Sequence, residues 1–289
     1  MIKYAIIGCG DIGRRVATKL IQQGVSAAAI LATVESEGSA AIARALGIQV
    51  GQANFDTTIK LPEAMHRAKW CYLVPPQKSG TMDLRSERFL QAALKLGLQP
   101  EAVALISTTG VYGDAIGEWV DESTPPKPNT ERAKRRLDME QEWQTWAMRK
   151  QVPLRILRVP GIYANSRIPR ARLRQGIPVV SEDECGFTNR VHADDLASAV
   201  IAAMHYSGDE RIFNVTDGTP STITAYLQAA AAEIDLPPLP EISMEEAQRT
   251  LSPAMLSYLT ESRKIGNDRL VNELGVVPRY PDLKQGLKI

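Results

Sequence analysis

Two short stretches carry residue types at spacings that chemistry requires. Gly8-Cys9-Gly10-Asp11-Ile12-Gly13 sets three glycines in the pattern GxGxxG, directly after an apolar run (residues 2–7) and ahead of a helical pattern. Glycine there allows a tight turn and lets the backbone approach a pyrophosphate, whose charge is met by amides at the helix N-terminus. These six residues are therefore candidate ligands of a dinucleotide, NAD or NADP. An acidic group about 20 positions beyond the glycines would bond the ribose 2′-hydroxyl of NAD, and Glu35 lies in that region. Arg14 and Arg15 follow the last glycine and would suit the 2′-phosphate of NADP, so spacing leaves the preference open. The second stretch is Ser107-Thr108-Thr109-Gly110-Val111-Tyr112-Gly113, which leaves an apolar run at its carboxyl end, where open α/β sheets bind ligands. Ser107 and Thr108 offer hydroxyls to a substrate hydroxyl or carbonyl. Tyr112 is a candidate proton carrier, with Asp114 and Asp121 as substitutes, although burial beneath the turn is the commoner role of such a tyrosine.

These residues need elements to hold them. Residues 2–7, 27–33, 70–74, 102–106 and 154–159 are continuous apolar runs, suited to strands covered on both faces. Between them, helical spacing predicts helices up to Gly24, over 39–46, 84–96 and 137–146. The alternation predicts an α/β fold, a doubly wound parallel Rossmann sheet over residues 1–160. Over 161–289 the alternation loosens into a smaller α/β substrate lobe: an Arg-rich piece (Arg167, Arg170, Arg172, Arg174), a short strand at 178–180, a helix over 193–205, a strand over 211–215, a helix over 221–234 and a helical stretch over 244–274. The boundary is soft, because segments of this lobe could return to the sheet. Trp143 and Trp146, three apart, read as core contacts, and residues 131–136 (ERAKRR) as a charged helix face or an anion clamp.

Composition narrows the function classes. The 289 residues carry 34 Lys+Arg against 33 Asp+Glu, a formal charge of +1, so no global field draws the chain to nucleic acid or an anionic membrane. Nucleic-acid and membrane partners are not expected, and a small-molecule ligand is. Three scattered cysteines and three histidines give neither a disulfide framework nor a metal-ligand cluster. With no basic leader and no run approaching a membrane span, the expected location is cytoplasmic.

The chain resembles the extended and atypical short-chain dehydrogenase/reductases, the NAD-dependent epimerase/dehydratase-like group. The resemblance rests on GCGDIG, STTGVYG, Leu157-Arg158-Val159-Pro160-Gly161-Ile162-Tyr163 and Arg190-Val191-His192-Ala193-Asp194-Asp195-Leu196-Ala197, and covers roughly residues 1–235. It implies a NAD(P)-dependent oxidoreductase or epimerase-like enzyme acting on a small molecule, with a nucleotide-sugar-like substrate among the options and a homodimer allowed. It further implies cofactor contacts at Val74, Pro75, Arg136 and Pro160, and substrate contacts at Thr109, Arg132, Tyr163 and Arg190. One departure stands out. The family's Tyr-x-x-x-Lys pair is missing: one register places Arg132 and Arg136 there, another Thr130 and Lys134. Arginine stays charged and clamps anions but is a poor general base. Some atypical members share the missing tyrosine together with a Gly-x-Trp-Val-Asp-Glu stretch, here Gly117 to Glu122. A non-catalytic NAD(P)-binding sensor or interaction module is the alternative. His192, with no spaced partner, is expected to order its loop rather than hold a metal, and Asp194 or Asp195 to cap the following helix.

Overall fold

The computed structural model describes residues 1–57, 59–251, 256, 259 and 261–288. Along the first half run β1 (Tyr4–Ile7), α1 (Asp11–Gln22), β2 (Ile30–Val34), α2 (Glu37–Ala45), β3 (Gln49–Gln52), β4 (Lys69–Tyr72), α3 (Leu84–Lys95), β5 (Ala102–Thr108), β6 (Trp119–Val120), α4 (Glu131–Lys150) and β7 (Leu154–Val159). The second half adds β8 (Gly161–Tyr163), α5 (Arg170–Arg174), β9 (Val179–Val180), β10 (Arg190–His192), α6 (Ala193–His205), β11 (Ile212–Asn214), α7 (Ile223–Ala232), β12 (Glu241–Ile242), α8 (Met244–Thr250) and β13 (Lys264–Ile265). Seven strands pair in the order β11-β7-β5-β4-β1-β2-β3, all parallel. This is the doubly wound sheet the alternation predicts, and its direction of growth reverses between β1 and β4. Because every strand is parallel, the ends of β1, β2, β4, β5 and β7 open on one edge. The glycine turn, Glu35, Val74, Thr108 and Pro160 therefore all leave the sheet on that edge.

Helices cover both faces. On one, Ile6 and Ala32 of the sheet pack against Val16 and Leu20 of α1 and Leu196 and Val200 of α6. On the other, Ile7, Trp70, Tyr72 and Leu105 pack against Phe89 of α3 and Met139, Trp143 and Trp146 of α4. Trp70 and Trp146 stack with centroids 6.0 Å apart, so the two tryptophans of α4 are core residues. A smaller core of Tyr163, Leu173, Val179, Leu227 and Leu239 holds the second lobe. Residue 160 does not bound the sheet: β11 pairs with β7 and α6 packs on α1, so residues 193–214 return to it.

Three elements differ from the sequence reading. β3 has no apolar run because it is an edge strand, with Gln49 and Gln52 exposed. α4 begins at Glu131, six residues before the apolar pattern, since Thr130 caps it by accepting from the Ala133 amide at 3.2 Å. The helical stretch expected over 244–274, interrupted near Pro253, also contains a strand, as Lys264–Ile265 pairs with Trp119–Val120; Pro253 itself lies outside the described residues. No helix among the described residues is long and apolar enough to cross a membrane.

Candidate functional site

Each glycine of the first turn has its own steric reason. Gly8 has φ +82°, and a β-carbon on it would lie 2.9 Å from Val74 Cγ2. At Gly13 a β-carbon would press on Ile6 and the Cys9 sulfur, so this glycine lets α1 sit close against β1. A β-carbon on Gly10 would meet nothing within 4 Å. Gly10 is also the N-cap of α1 and supplies no side chain to the first-turn amides. The backbone is thus bare where a pyrophosphate would lie, and the cradle fits that group. A cavity of about 250 Å³ adjoins it, lined by Gly8, Cys9, Gly10, Val34, Glu35, Ser39, Phe55, Val74, Pro75 and Arg85 among others.

Side chains around the turn are mostly committed elsewhere. Cys9 is buried, which pushes its thiol up to about 11, and its amide donates to the Thr33 carbonyl. Burial alone would raise the Asp11 carboxyl, but hydrogen bonds from Arg167 (2.7 Å) and Arg15 (3.2 Å) hold it below the ordinary carboxylate range. Arg15 also donates to Asp194 and Ser166, which ties the second lobe to the start of α1. Arg85, which no motif signals, donates to Asp56 at 2.7 Å and to the Pro75 carbonyl at 3.0 Å.

A second cavity, of about 320 Å³, lies between the lobes. Thr108, Thr109 and Gly110 from the end of β5, Thr130, Arg132 and Ala133 from the start of α4, and Pro160 and Gly161 after β7 line one side. Phe187 to Arg190, Glu261 and Arg263 line the other. Of the two registers for the missing pair, Thr130 and Arg132 both reach this cleft and Lys134 does not. Arg136 turns beneath β5, donating to the Ile106 carbonyl at 3.3 Å, and burial lowers its pKa against the pull of Asp83. Arg135, buried, anchors α4 to the loop carbonyls of Lys78 and Gly80.

Three of the expected site residues lie away from the cleft. Ser107 does not face the cleft: it is 2% exposed, and its hydroxyl donates to Glu140 at 2.5 Å. Glu140 also accepts from Arg158 at 2.8 and 3.2 Å, a buried pair between α4 and β7. Tyr112 lies on this pair rather than in the cleft, its ring 4.8 Å from the Arg158 guanidinium and its hydroxyl donating to Asn214. Tyr163 is fully buried and donates to the Asp282 carbonyl at 2.9 Å, so it anchors the C-terminal segment instead of a substrate. Strand alternation turns Ser107 of β5 and Tyr163 of β8 inward, whereas Tyr112 is carried inward by the 3-10 turn over Thr109–Tyr112. Asp114 and Asp121 are turn caps, accepting from the amides of Ile116 and Ser123. Within the Gly117–Glu122 stretch, Glu122 accepts from the Asn214 amide at 2.7 Å, so it secures β11 and lies outside the cleft lining. His192 rather than either aspartate caps α6, its Nδ1 accepting from Asp194 at 3.2 Å.

Arg190, Glu261 and Arg263 complete the cleft. Glu261 pairs with Arg263 through Oε2 at 2.7 Å, and its Oε1 is buried without a hydrogen-bond partner. Sequence reasoning missed this pair, since residues 261–263 carry no motif and reach the cleft only because Lys264 pairs with Trp119.

No protein-family model and no curated protein matches the chain, whereas solved structures do. A conserved protein of unknown function from Silicibacter pomeroyi superposes with TM-score 0.81 at 27% identity, covering 100% of this chain and 97% of that one. A provisionally assigned NAD-dependent epimerase/dehydratase from Methylobacillus flagellatus gives TM-score 0.69 at 25% identity, over 99% and 96% of the two chains. UDP-glucuronic acid 4-epimerase from Bacillus cereus, in complex with NAD, gives 0.77 at 14% identity, over 99% and 94%. The fold is therefore that of the NAD-dependent epimerase/dehydratase group within the short-chain dehydrogenase/reductases.

Proposed function

We infer that the protein is a NAD-dependent oxidoreductase or epimerase-like enzyme that acts on an anionic small molecule held between its lobes. The carrying observation is the glycine turn, where two glycines are sterically required and Gly10 leaves the backbone open at an uncapped helix start. Gly8 to Gly13 would hold the pyrophosphate and Glu35 the adenosine ribose, with Val74 and Pro75 against the cavity wall. NAD is favoured over NADP because Arg85, the one cation among the described residues lining that cavity, is engaged by Asp56, Arg15 is engaged by Asp11 and Asp194, and Arg14 lies outside the lining. Bound there, the nicotinamide would supply a hydride acceptor or donor.

The chain's own groups supply the rest. Thr108 Oγ1 accepts from the Gly110 amide at 3.2 Å, which leaves its O–H to donate to a substrate oxygen in the cleft. Arg132, Arg190 and Arg263 place positive charge around the substrate. With no tyrosine among the described lining residues, Glu261 Oε1 is the group placed to exchange a proton. A thermal-shift titration tests the cofactor: NAD⁺ at about 100 times its dissociation constant adds roughly 2.7 kcal/mol, and equal or larger shifts with NADP⁺ overturn the preference. Turnover of hydroxy acids, followed as NADH formation, and of nucleotide sugars, followed as the epimer formed because an epimerase returns its hydride to the substrate, tests the chemistry, and Thr108→Val should lower it about 100-fold. The absent phenol favours a second reading, a non-catalytic dinucleotide sensor, which turnover dependent on Thr108 would exclude.

A further inference from the structure

Arg190 is a buried charge whose guanidinium has no carboxylate hydrogen-bonded to it among the described residues. It is 8% exposed, its Nε and Nη2 are buried with no hydrogen-bond partner, and its guanidinium lies 4.6 Å from the Tyr226 ring centroid. A β-carbon on Gly161 would overlap Arg190 Nη1, so the floor of the cleft is cut away to seat this guanidinium. A buried cation is costly unless an anion meets it. The buried Asp217 carboxyl acts on its charge, but burial pushes that group up to about 7 and it makes no hydrogen bond to the guanidinium. Arg190 also lines a neighbouring cavity of about 240 Å³, whose walls include Pro178, Val179, Val180, Ile223 and Leu227. The hydroxyl of Thr224 in that wall is already spent, donating to the Val180 carbonyl at 2.5 Å. Arg172 also lines this cavity, so its polar side chains among the described residues are two guanidiniums and the Thr224 hydroxyl. A nucleobase placed there would find donors for its acceptors but would leave its own N–H groups facing guanidiniums that only donate, whereas hydrocarbon along the Val179–Leu227 wall needs no partner.

We propose that Arg190 binds the acidic head of a substrate whose apolar body fills the Val179–Leu227 cavity, a small acid with a hydrocarbon portion rather than a nucleotide sugar. This names the substrate class of the cleft described above and rests on that functional reading. The head is a carboxylate or a phosphate monoester, both of which fit the guanidinium fork.

Calorimetric titrations of acetate, butanoate, hexanoate, hexyl phosphate and UDP-glucose, with and without saturating NAD⁺, test it. Affinity should rise about fourfold per methylene from acetate to hexanoate, equivalent to ~0.8 kcal/mol each. The tighter of hexanoate and hexyl phosphate identifies the head. Arg190→Met should weaken the preferred ligand about 10- to 100-fold. Ile223→Phe, which narrows the cavity from a half-buried position, should weaken hexanoate while leaving acetate within about twofold. Tighter binding of UDP-glucose than of either six-carbon ligand, no dependence on chain length, or no effect of Arg190→Met overturns the proposal. An intact acid series without any NAD⁺ signal supports it and overturns the cofactor reading instead.

Discussion

Replacing Glu140 by glutamine should destabilise the protein by about 3–5 kcal/mol, because it strands a buried cation. Glu140 is 1% exposed and Arg158 2% exposed, and two hydrogen bonds of 2.8 and 3.2 Å join them. The carboxylate also accepts from Ser107 at 2.5 Å, so both oxygens are used. Glutamine keeps the shape, but one of its two ends becomes a donor facing either a guanidinium or a hydroxyl that already donates. Arg158 would retain the Tyr112 ring as its remaining electrostatic partner, worth about 2 kcal/mol at most. Arg158→Met should cost a similar amount by stranding the carboxylate. The double variant should cost clearly less than the sum, with a coupling of about 2 kcal/mol or more, since both charges leave together. Urea unfolding at pH 7.5, with all four proteins compared at 25 °C, measures the cycle. A loss below about 1 kcal/mol for Glu140→Gln, or additivity within about 0.5 kcal/mol, would refute the view that this pair is a dry, mutually dependent unit holding the end of β5 beside Thr108.

Gly10→Val should leave the unfolding free energy within about 1 kcal/mol, since its β-carbon meets nothing within 4 Å, yet abolish the thermal shift given by NAD⁺. Tyr112→Phe should cost about 1 kcal/mol through the lost bond to Asn214 and leave turnover within about threefold; a 100-fold loss would return Tyr112 to catalysis. Burial raises the Asp217 carboxyl from 3.8 to about 7. A raised carboxyl binds its proton more tightly when folded, so its contribution is fully present below pH 3.8 and is lost as pH rises through about 7. Asp217→Asn should therefore gain on the wild type by about 2–4 kcal/mol between pH 4 and pH 8, and a constant difference across urea titrations at those pH values would contradict the assignment.

The central sheet was legible because its strands are buried on both faces, so their apolar runs survive in the sequence without alternation. β3 was not, because an edge strand needs no apolar run. The start of α4 was hidden by ERAKRR, whose Arg135 and Arg136 look like solvent-facing charge until the loop carbonyl of Gly80 and the β5 carbonyl of Ile106 are found beside them. The glycine turn was legible because a positive φ at Gly8, close packing at Gly13 and a bare backbone at Gly10 are set within a few residues of chain, and only the contact of Gly8 with Val74 comes from a distant strand end.

What the sequence determined by itself is thus the parallel α/β order, the glycine turn with its place at the sheet's carboxyl edge, and the missing tyrosine. Tertiary structure alone decided which hydroxyl of Ser107-Thr108-Thr109 turns inward, that Tyr112 and Tyr163 are packing residues, and that Glu261 and Arg263 join Arg190 across the cleft. The reason is range. Turn geometry and strand burial are set by neighbours along the chain, whereas the direction of a strand-end side chain depends on what lies across from it, here Glu140, 33 residues away, and Asn214, 102 residues away.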